Sequence, residues 1–235
     1  YELGDPNVSG GANNDLIIVT NNLTLDGLLT VTDPGTGTGF GLGVYQLMTY
    51  GGALSDNGLT IAALPPTFSG FVQTSISGQV NLVITAPGVM VQDWQGADTV
   101  GNGTNDGGTG TWNAANTNWS ASPWGLNTNW QSGVAVFGGT TGTVTVVGTQ
   151  NFQALQFATD AYLLTGGTLN ASTAGFISVG AGLEAGIASD ITGAALAKQG
   201  TGGLHLGGNN SFASLDVRAG LLGVHSATAL GSGTA

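Results

Sequence analysis

Short period-2 runs recur along the chain, with apolar residues alternating with Thr and other small or polar residues. Examples are Leu23-Thr-Leu25, Leu29-Thr-Val31, Val144-Thr-Val146, Leu204-His-Leu206, Leu215-Asp-Val217 and Leu222-Gly-Val224. Alternation over so few residues is the pattern of a strand with one buried face and one wet face. The runs close on Gly, Asn or Asp, and turn pairs such as Asp26-Gly27, Asn57-Gly58, Gly166-Gly167 and Gly207-Gly208 fall between them. No stretch of ten or more residues has apolar positions at convincing helical spacing. The pattern predicts an all-β protein of many short strands: a sandwich, a barrel or a β-solenoid. Repetition favours the solenoid. Leu163-Leu-Thr-Gly-Gly-Thr-Leu169-Asn170 and Gly202-Gly-Leu-His-Leu-Gly-Gly-Asn209-Asn210 share alternating Leu, a Gly pair and Asn, while Gly27-Leu-Leu-Thr-Val31 and Gly220-Leu-Leu-Gly-Val224 share Gly-Leu-Leu-x-Val. Loose spacing between copies suits stacked coils, whose insertions loop outwards.

Composition narrows the function. Of 235 residues 43 are Gly, which disfavours helix interiors. Thirteen acids against two bases give a net charge of −11, and no Lys or Arg precedes Lys198. Nucleic acids and anionic membranes, which are bound through cationic side chains, are therefore not expected as partners. The absence of Cys excludes disulfides and thiolate chemistry. Apolar runs such as Leu16-Ile-Ile-Val19 are too short to span a bilayer as a helix.

The stretch Leu196-Ala-Lys198-Gln-Gly200-Thr-Gly202-Gly-Leu204-His-Leu206-Gly-Gly208-Asn-Asn210, continued by Leu215-Asp-Val217, Gly220-Leu-Leu222-Gly-Val224 and Ala229-Leu-Gly-Ser-Gly233, resembles an autotransporter-associated β-strand repeat, the passenger-associated transport repeat of bacterial autotransporters. Asn14-Asp-Leu-Ile-Ile-Val19 through Gly27, and Thr111-Trp-Asn113 through Val146, are also similar to such passengers. His205 departs from the repeat, where a small polar residue is usual, as does Phe212-Ala-Ser214. The resemblance implies a right-handed parallel β-helix (β-solenoid) with a Trp/Asn-rich excursion, displayed at the bacterial surface through an outer-membrane β-barrel lying outside this chain. It divides the chain into a single β-helix segment of a longer passenger over 1–235, an excursion at 92–131 and a repeat at 196–233. At about 20–25 residues per coil the chain would make roughly eight to ten coils. The expected role is non-catalytic: display and adhesion to a host extracellular-matrix or cell-surface protein or glycan, by a monomer without cofactor, with the repeat assisting secretion and folding. The alternative is a secreted glycosidase or lyase on the same fold.

Candidate chemistry is sparse. Trp94, Trp112, Trp119, Trp124 and Trp130 all lie within residues 94–130, together with Asn116-Thr-Asn-Trp119 and its copy Asn127-Thr-Asn-Trp130. They form either an aromatic platform for a sugar or protein partner or a cover for a core poor in large side chains. Asp98 and Asp106 flank a Gly/Asn-rich loop that offers oxygen ligands to Ca²⁺, although the twelfth position from Asn102 is Asn113 rather than Glu. His205 and His225 follow inward-facing aliphatic residues and should point to solvent. No Gly-x-Ser-x-Gly elbow accompanies them, so a Ser-His-Asp triad with Asp216 is not expected. Asp216 and Arg218, two apart on one strand, should form an exposed ion pair.

Overall fold

The structure is a computed structural model that describes residues 1–231 apart from Asn7, Thr38, Ser75, Ile76, residues 86–88, Ser122, Pro123 and Gly125. Among the described residues there are strands and turns and no helix. Ser232 and Gly233, the end of the predicted repeat, lie outside the described residues. Two compact units follow one another along the chain, Tyr1–Val89 and Met90–Ala235.

The first unit pairs strands over long sequence gaps. Leu23–Thr30 runs parallel to Leu54–Ala63, and Ile17–Val19 runs parallel to Gly43–Tyr50. Gly43–Tyr50 then pairs antiparallel with Gln79–Thr85, which pairs antiparallel with Ser69–Gln73. Gln79–Thr85 is buried on both faces for nearly its whole length. Leu25, Leu29, Tyr45, Leu47, Val80, Leu82 and Ile84 form the core of this unit, with the Phe40 and Tyr45 rings stacked at 5.0 Å.

The second unit contains a parallel β-solenoid of about four turns. From Thr149 onward each coil visits three faces in order. The first face stacks Val91–Trp94, Val134–Phe137, residues 154–157 and 176–179, Leu196–Gln199 and Leu215–Val217. The second stacks Gly110–Trp112, Thr143–Val146, Tyr162–Thr165, Glu184–Ile187, Gly203–Leu206 and Leu221–Val224. The third stacks residues 149–152 and 168–171, Asp190–Gly193 and Ser211–Phe212. Inward positions form columns, such as Ala135–Leu155–Ile177–Lys198 and Val144–Leu164–Ile187–Leu206. The predicted alternation holds here: Leu204 and Leu206 are buried, and His205 between them faces out. On the third face Asn170 Nδ2 donates to Asn151 Oδ1 (2.8 Å) and Thr192 Oγ1 donates to Asn170 Oδ1 (3.0 Å), a polar ladder between residues already in register.

Four turns are fewer than the eight to ten predicted. The chain is spent elsewhere, on the antiparallel strands of the first unit and on an excursion of 42 residues between the paired residues Val91 and Val134. Dividing chain length by coil length assumes that every strand adds a coil, and these do not.

The one lysine of the chain explains the motif in which it sits. Lys198 continues an inward apolar column and is fully buried. Its Nζ donates to the carbonyls of Gly200 (2.7 Å), Gly202 (2.5 Å) and, on the following coil, Ala219 (3.0 Å). All three ammonium protons are thereby used, which offsets the cost of burying the charge. Gly200 adopts φ 71°, and a Cβ on it or on Gly202 would strike the backbone of the preceding coil. The Lys-x-Gly-x-Gly spacing is thus a corner built around one ammonium. Asn210 makes a second tie between coils: it accepts from Ile191 N (2.7 Å) on one side and donates to Ala229 O (2.5 Å) on the other.

Replacing Lys198 with Met keeps the stem and leaves three carbonyls without their donor, each worth about 1–3 kcal/mol when buried. Urea unfolding should show a loss of at least about 2 kcal/mol. The loss should also depend on pH. Burial pushes Lys198 down from 10.5 to about 8, against a smaller upward pull from Glu184. Between about pH 8 and 10.5 the unfolded chain keeps a proton that the folded chain has released. This group's contribution to stability therefore rises with pH through that window and is lost as pH falls through about 8. Subtracting the Lys198→Met variant at each pH cancels the tyrosines, and the difference should grow from pH 8 to 10.

Candidate functional site

On the outer surface of the second face the solenoid brings together three polar residues far apart in sequence. Glu184 lies directly across from Gly203, and His205 lies between Gly186 and Gly223 on the adjacent coils. His205 Nε2 donates to Glu184 Oε2 at 2.7 Å. A carboxylate only accepts, so this bond places a His205 proton on Nε2, and in the neutral imidazole Nδ1 then accepts from His225 Nε2 at 2.8 Å. The side chains of His205 and Glu184 remain 43% and 54% exposed, and His225 is exposed. Glycine makes the arrangement possible. A Cβ on Gly203 would collide with the Glu184 carboxylate, and one on Gly223 with His205 Nδ1.

An open groove of about 440 Å³ runs beside these residues, floored by Ala161, Leu163, Ala188 and Gly207. Among the described residues Glu184 is the one carboxylate in its lining. Both nitrogens of His205 are engaged with charged or ring partners. Ser226, the hydroxyl next to His225 in sequence, donates to Gly208 O instead (3.1 Å). Asp216 is held by Arg218 at 2.8 Å, the exposed pair read from the sequence. The geometry is a surface relay without the nucleophile–base contact of a triad.

The tryptophans lie at the other end of the same unit. Trp119–Ser120 pairs antiparallel with the outer edge of Val91–Trp94 and is continued by Asn127–Thr128, so a short hairpin covers the edge of the first face. Trp94, Trp112 and Trp119 have no exposed surface, and Trp130 has 7%. Their rings meet edge-on or tilted at 4.5–5.2 Å around Trp119 and Trp112, and Phe137 connects them to Phe157 and Tyr162 farther along the core. In both Asn-Thr-Asn-Trp copies the Trp enters this cluster. Trp94 Nε1 donates to Gly108 O (2.8 Å) and Trp130 Nε1 to Asn151 O (2.6 Å). Asn118 Nδ2 ties the loop to Gly96 O (2.7 Å) and Asn127 Nδ2 ties it to Asp98 O (2.9 Å). Four of the five Trp therefore have no ring face to offer a ligand in this structure. Trp124 is half-buried, with φ 62° and its Nε1 donating to Asp93 Oδ2 at 3.0 Å.

The Gly/Asn-rich loop satisfies much of its own oxygen chemistry. Asp106 accepts from Asn102 Nδ2 (2.8 Å) and Thr104 Oγ1 (2.7 Å), and Asp98 accepts from Val100 N (3.0 Å). Among the described residues no group of three or more His, Asp or Glu converges as a metal cage.

Sequence reasoning placed His205 and His225 on the surface but did not join them to Glu184. The signal was present, since the three residues recur at intervals of 21 and 20, close to one coil, and His205 replaces a small polar residue of the repeat.

The chain is 40% identical over 228 residues to "Adhesin BmaC autotransporter" of Brucella suis biovar 1 (strain 1330), a match that covers 90% of this chain and 6% of that protein. No family profile matches the chain, and no solved structure matches it.

Burial of the indole rings sets an expectation for the excursion. Trp119→Ala should cost about 3–5 kcal/mol in urea unfolding, because the ring lies at the centre of the cluster. Trp124→Ala removes a hydrogen bond to the buried carboxylate of Asp93 and should cost about 1–3 kcal/mol. Equal costs at the two positions would contradict the packing described.

Proposed function

We propose that this chain is a segment of a bacterial autotransporter passenger domain, displayed at the cell surface through the outer membrane, and that it acts as a non-catalytic segment of an adhesin. The observation that carries the reading is the identity shared with an adhesin across nearly the whole chain, although the chain spans only 6% of that protein's length. The partner class proposed is a host extracellular-matrix or cell-surface protein or glycan. The same reading assigns the full-length protein an outer-membrane β-barrel.

Within the chain, the excursion is the proposed contact. Its tip exposes Val100 (75%) and Leu126 (83%) beside half-buried Trp124, and Gly103 N donates to Trp124 O (3.0 Å), joining the two sides of the loop. Trp is among the side chains that anchor interfaces best, and one that is already held loses little entropy on binding, with Val100 and Leu126 adding apolar area around it. The coil surfaces present Thr, Asn, Ser and Gly with scattered aliphatics such as Val147, Leu163 and Leu221, while Phe152, Phe157, Tyr162, Phe176 and Phe212 are buried. The repeat is proposed to assist folding during secretion. Its motif residues Lys198 and Asn210 each bond to the coil that follows, at Ala219 and Ala229, so each finished corner offers ready acceptors or donors to the next. The polysaccharide-active alternative finds no paired carboxylates in the groove.

Bacteria displaying the chain should adhere to host cells or matrix. Val100→Ser, Trp124→Ala and Leu126→Ser combined should lower adhesion at least ten-fold in a chain that still unfolds cooperatively. Undiminished adhesion by the folded triple variant would move the contact away from this tip.

A further inference from the structure

We propose that His205 Nδ1 and His225 Nε2 are the protein's half of a site for a borderline divalent transition ion of the Zn²⁺ class, with Glu184 orienting His205 from its opposite nitrogen. The inference is independent of the adhesion reading. The chain has two histidines in all, and the coils bring their ring nitrogens to within 2.8 Å of each other. In the neutral imidazole the 2.7 Å bond from His205 Nε2 to Glu184 leaves Nδ1 as the acceptor facing His225 Nε2, and binding an ion moves the His225 proton from Nε2 to that ring's own Nδ1. A carboxylate holding the far nitrogen of a ligating imidazole is the usual outer support of a histidine metal ligand.

The space required is present. The two nitrogens meet over Gly223, where any side chain would occupy the same position. Zn–N bonds of about 2.0–2.1 Å at a tetrahedral angle put two ligating nitrogens about 3.3 Å apart. Exposed His205 and His225 reach that separation by opening roughly half an ångström. An ion held there keeps its remaining positions open to the solvent and the adjoining groove, where water or a partner's carboxylate can complete the coordination. Imidazole selects Zn²⁺ and its neighbours over Ca²⁺ and Mg²⁺, which prefer all-oxygen sets. The net charge of −11 raises the local concentration of any cation.

The test is calorimetric titration of ZnCl₂ into the 235-residue chain in a non-chelating buffer, with ¹H–¹⁵N spectra of the imidazoles recorded in parallel. One ion per chain should bind, with the imidazole signals of both histidines shifting together. His225→Ala and His205→Ala should each weaken binding more than ten-fold, Glu184→Gln should weaken it about ten-fold or more with the stoichiometry unchanged, and Gly223→Ala should abolish it with both histidines still in place. Excess Ca²⁺ should not compete. Absence of binding, unmoved imidazole signals, or equal affinity in the folded His225→Ala variant would overturn the proposal, the last by assigning the heat to carboxylates. His225 is exposed near the end of the last stacked strand, so its replacement leaves the core untouched, and thermal unfolding of the variant verifies this.

Discussion

An inward side chain of a parallel coil is dry only where another coil lies directly over it. The columns Ala135–Leu155–Ile177 and Val144–Leu164–Ile187–Leu206 make this literal: each residue is covered by its counterpart one coil away. Burial of each Leu, Ile or Phe in such a column contributes about 1.5–3 kcal/mol, but only as a neighbour-to-neighbour interaction. Stability is therefore a sum over coil contacts, and the two ends of the stack are where it is weakest.

Both ends carry the chain's least ordinary side chains. At one end a hairpin folds across the edge of Val91–Trp94, and Trp119 and Trp130 pack on the inward rings Trp94, Trp112 and Phe137 of the stacked strands. Trp suits this position because it brings the largest apolar area per residue, and the hairpin shields the unpaired edge strand. Toward the other end the inward column turns from Ile177 to Lys198, and a charged group caps it by engaging carbonyls of its own corner and of the next coil. Tyr162 performs a related task midway: its hydroxyl accepts from Gly108 N (2.9 Å) and shares its one proton between the carbonyls of Gly138 (2.8 Å) and Thr140 (2.6 Å). Burial raises its pKa to about 12. Lys198 and Tyr162 both reach corners, where the backbone leaves the ladder and its carbonyls need donors.

The alternation of Leu204, His205 and Leu206 was readable because a half-buried strand writes its two faces directly into the sequence. So was the exposed Asp216–Arg218 pair. Gln79–Thr85 was not readable as an antiparallel strand, since a run buried on both faces has the same composition whichever way it runs. The sequence also located the tryptophans without saying which way they face; the decision belongs to the hairpin, whose two Asn-Thr-Asn-Trp copies both send the ring inward. The meeting of Glu184, His205 and His225 depended on coil register. Paired residues lie 18 to 23 positions apart from one coil to the next, so a fixed repeat length cannot align them.

The central claim is that the tryptophan cluster closes the solenoid and that the coils beyond it depend on that closure. Hydrogen exchange, compared between the protein and its Trp119→Ala variant, tests this directly. The account predicts that amides of Val91–Trp94, Val134–Phe137 and Thr143–Val146 lose protection together, with the loss fading toward Glu184–Ile187 and Gly203–Leu206. Loss confined to Trp119–Ser120 and Asn127–Thr128, with the stacked ladders unchanged, would show that the hairpin is an ornament and that the coils are held without it.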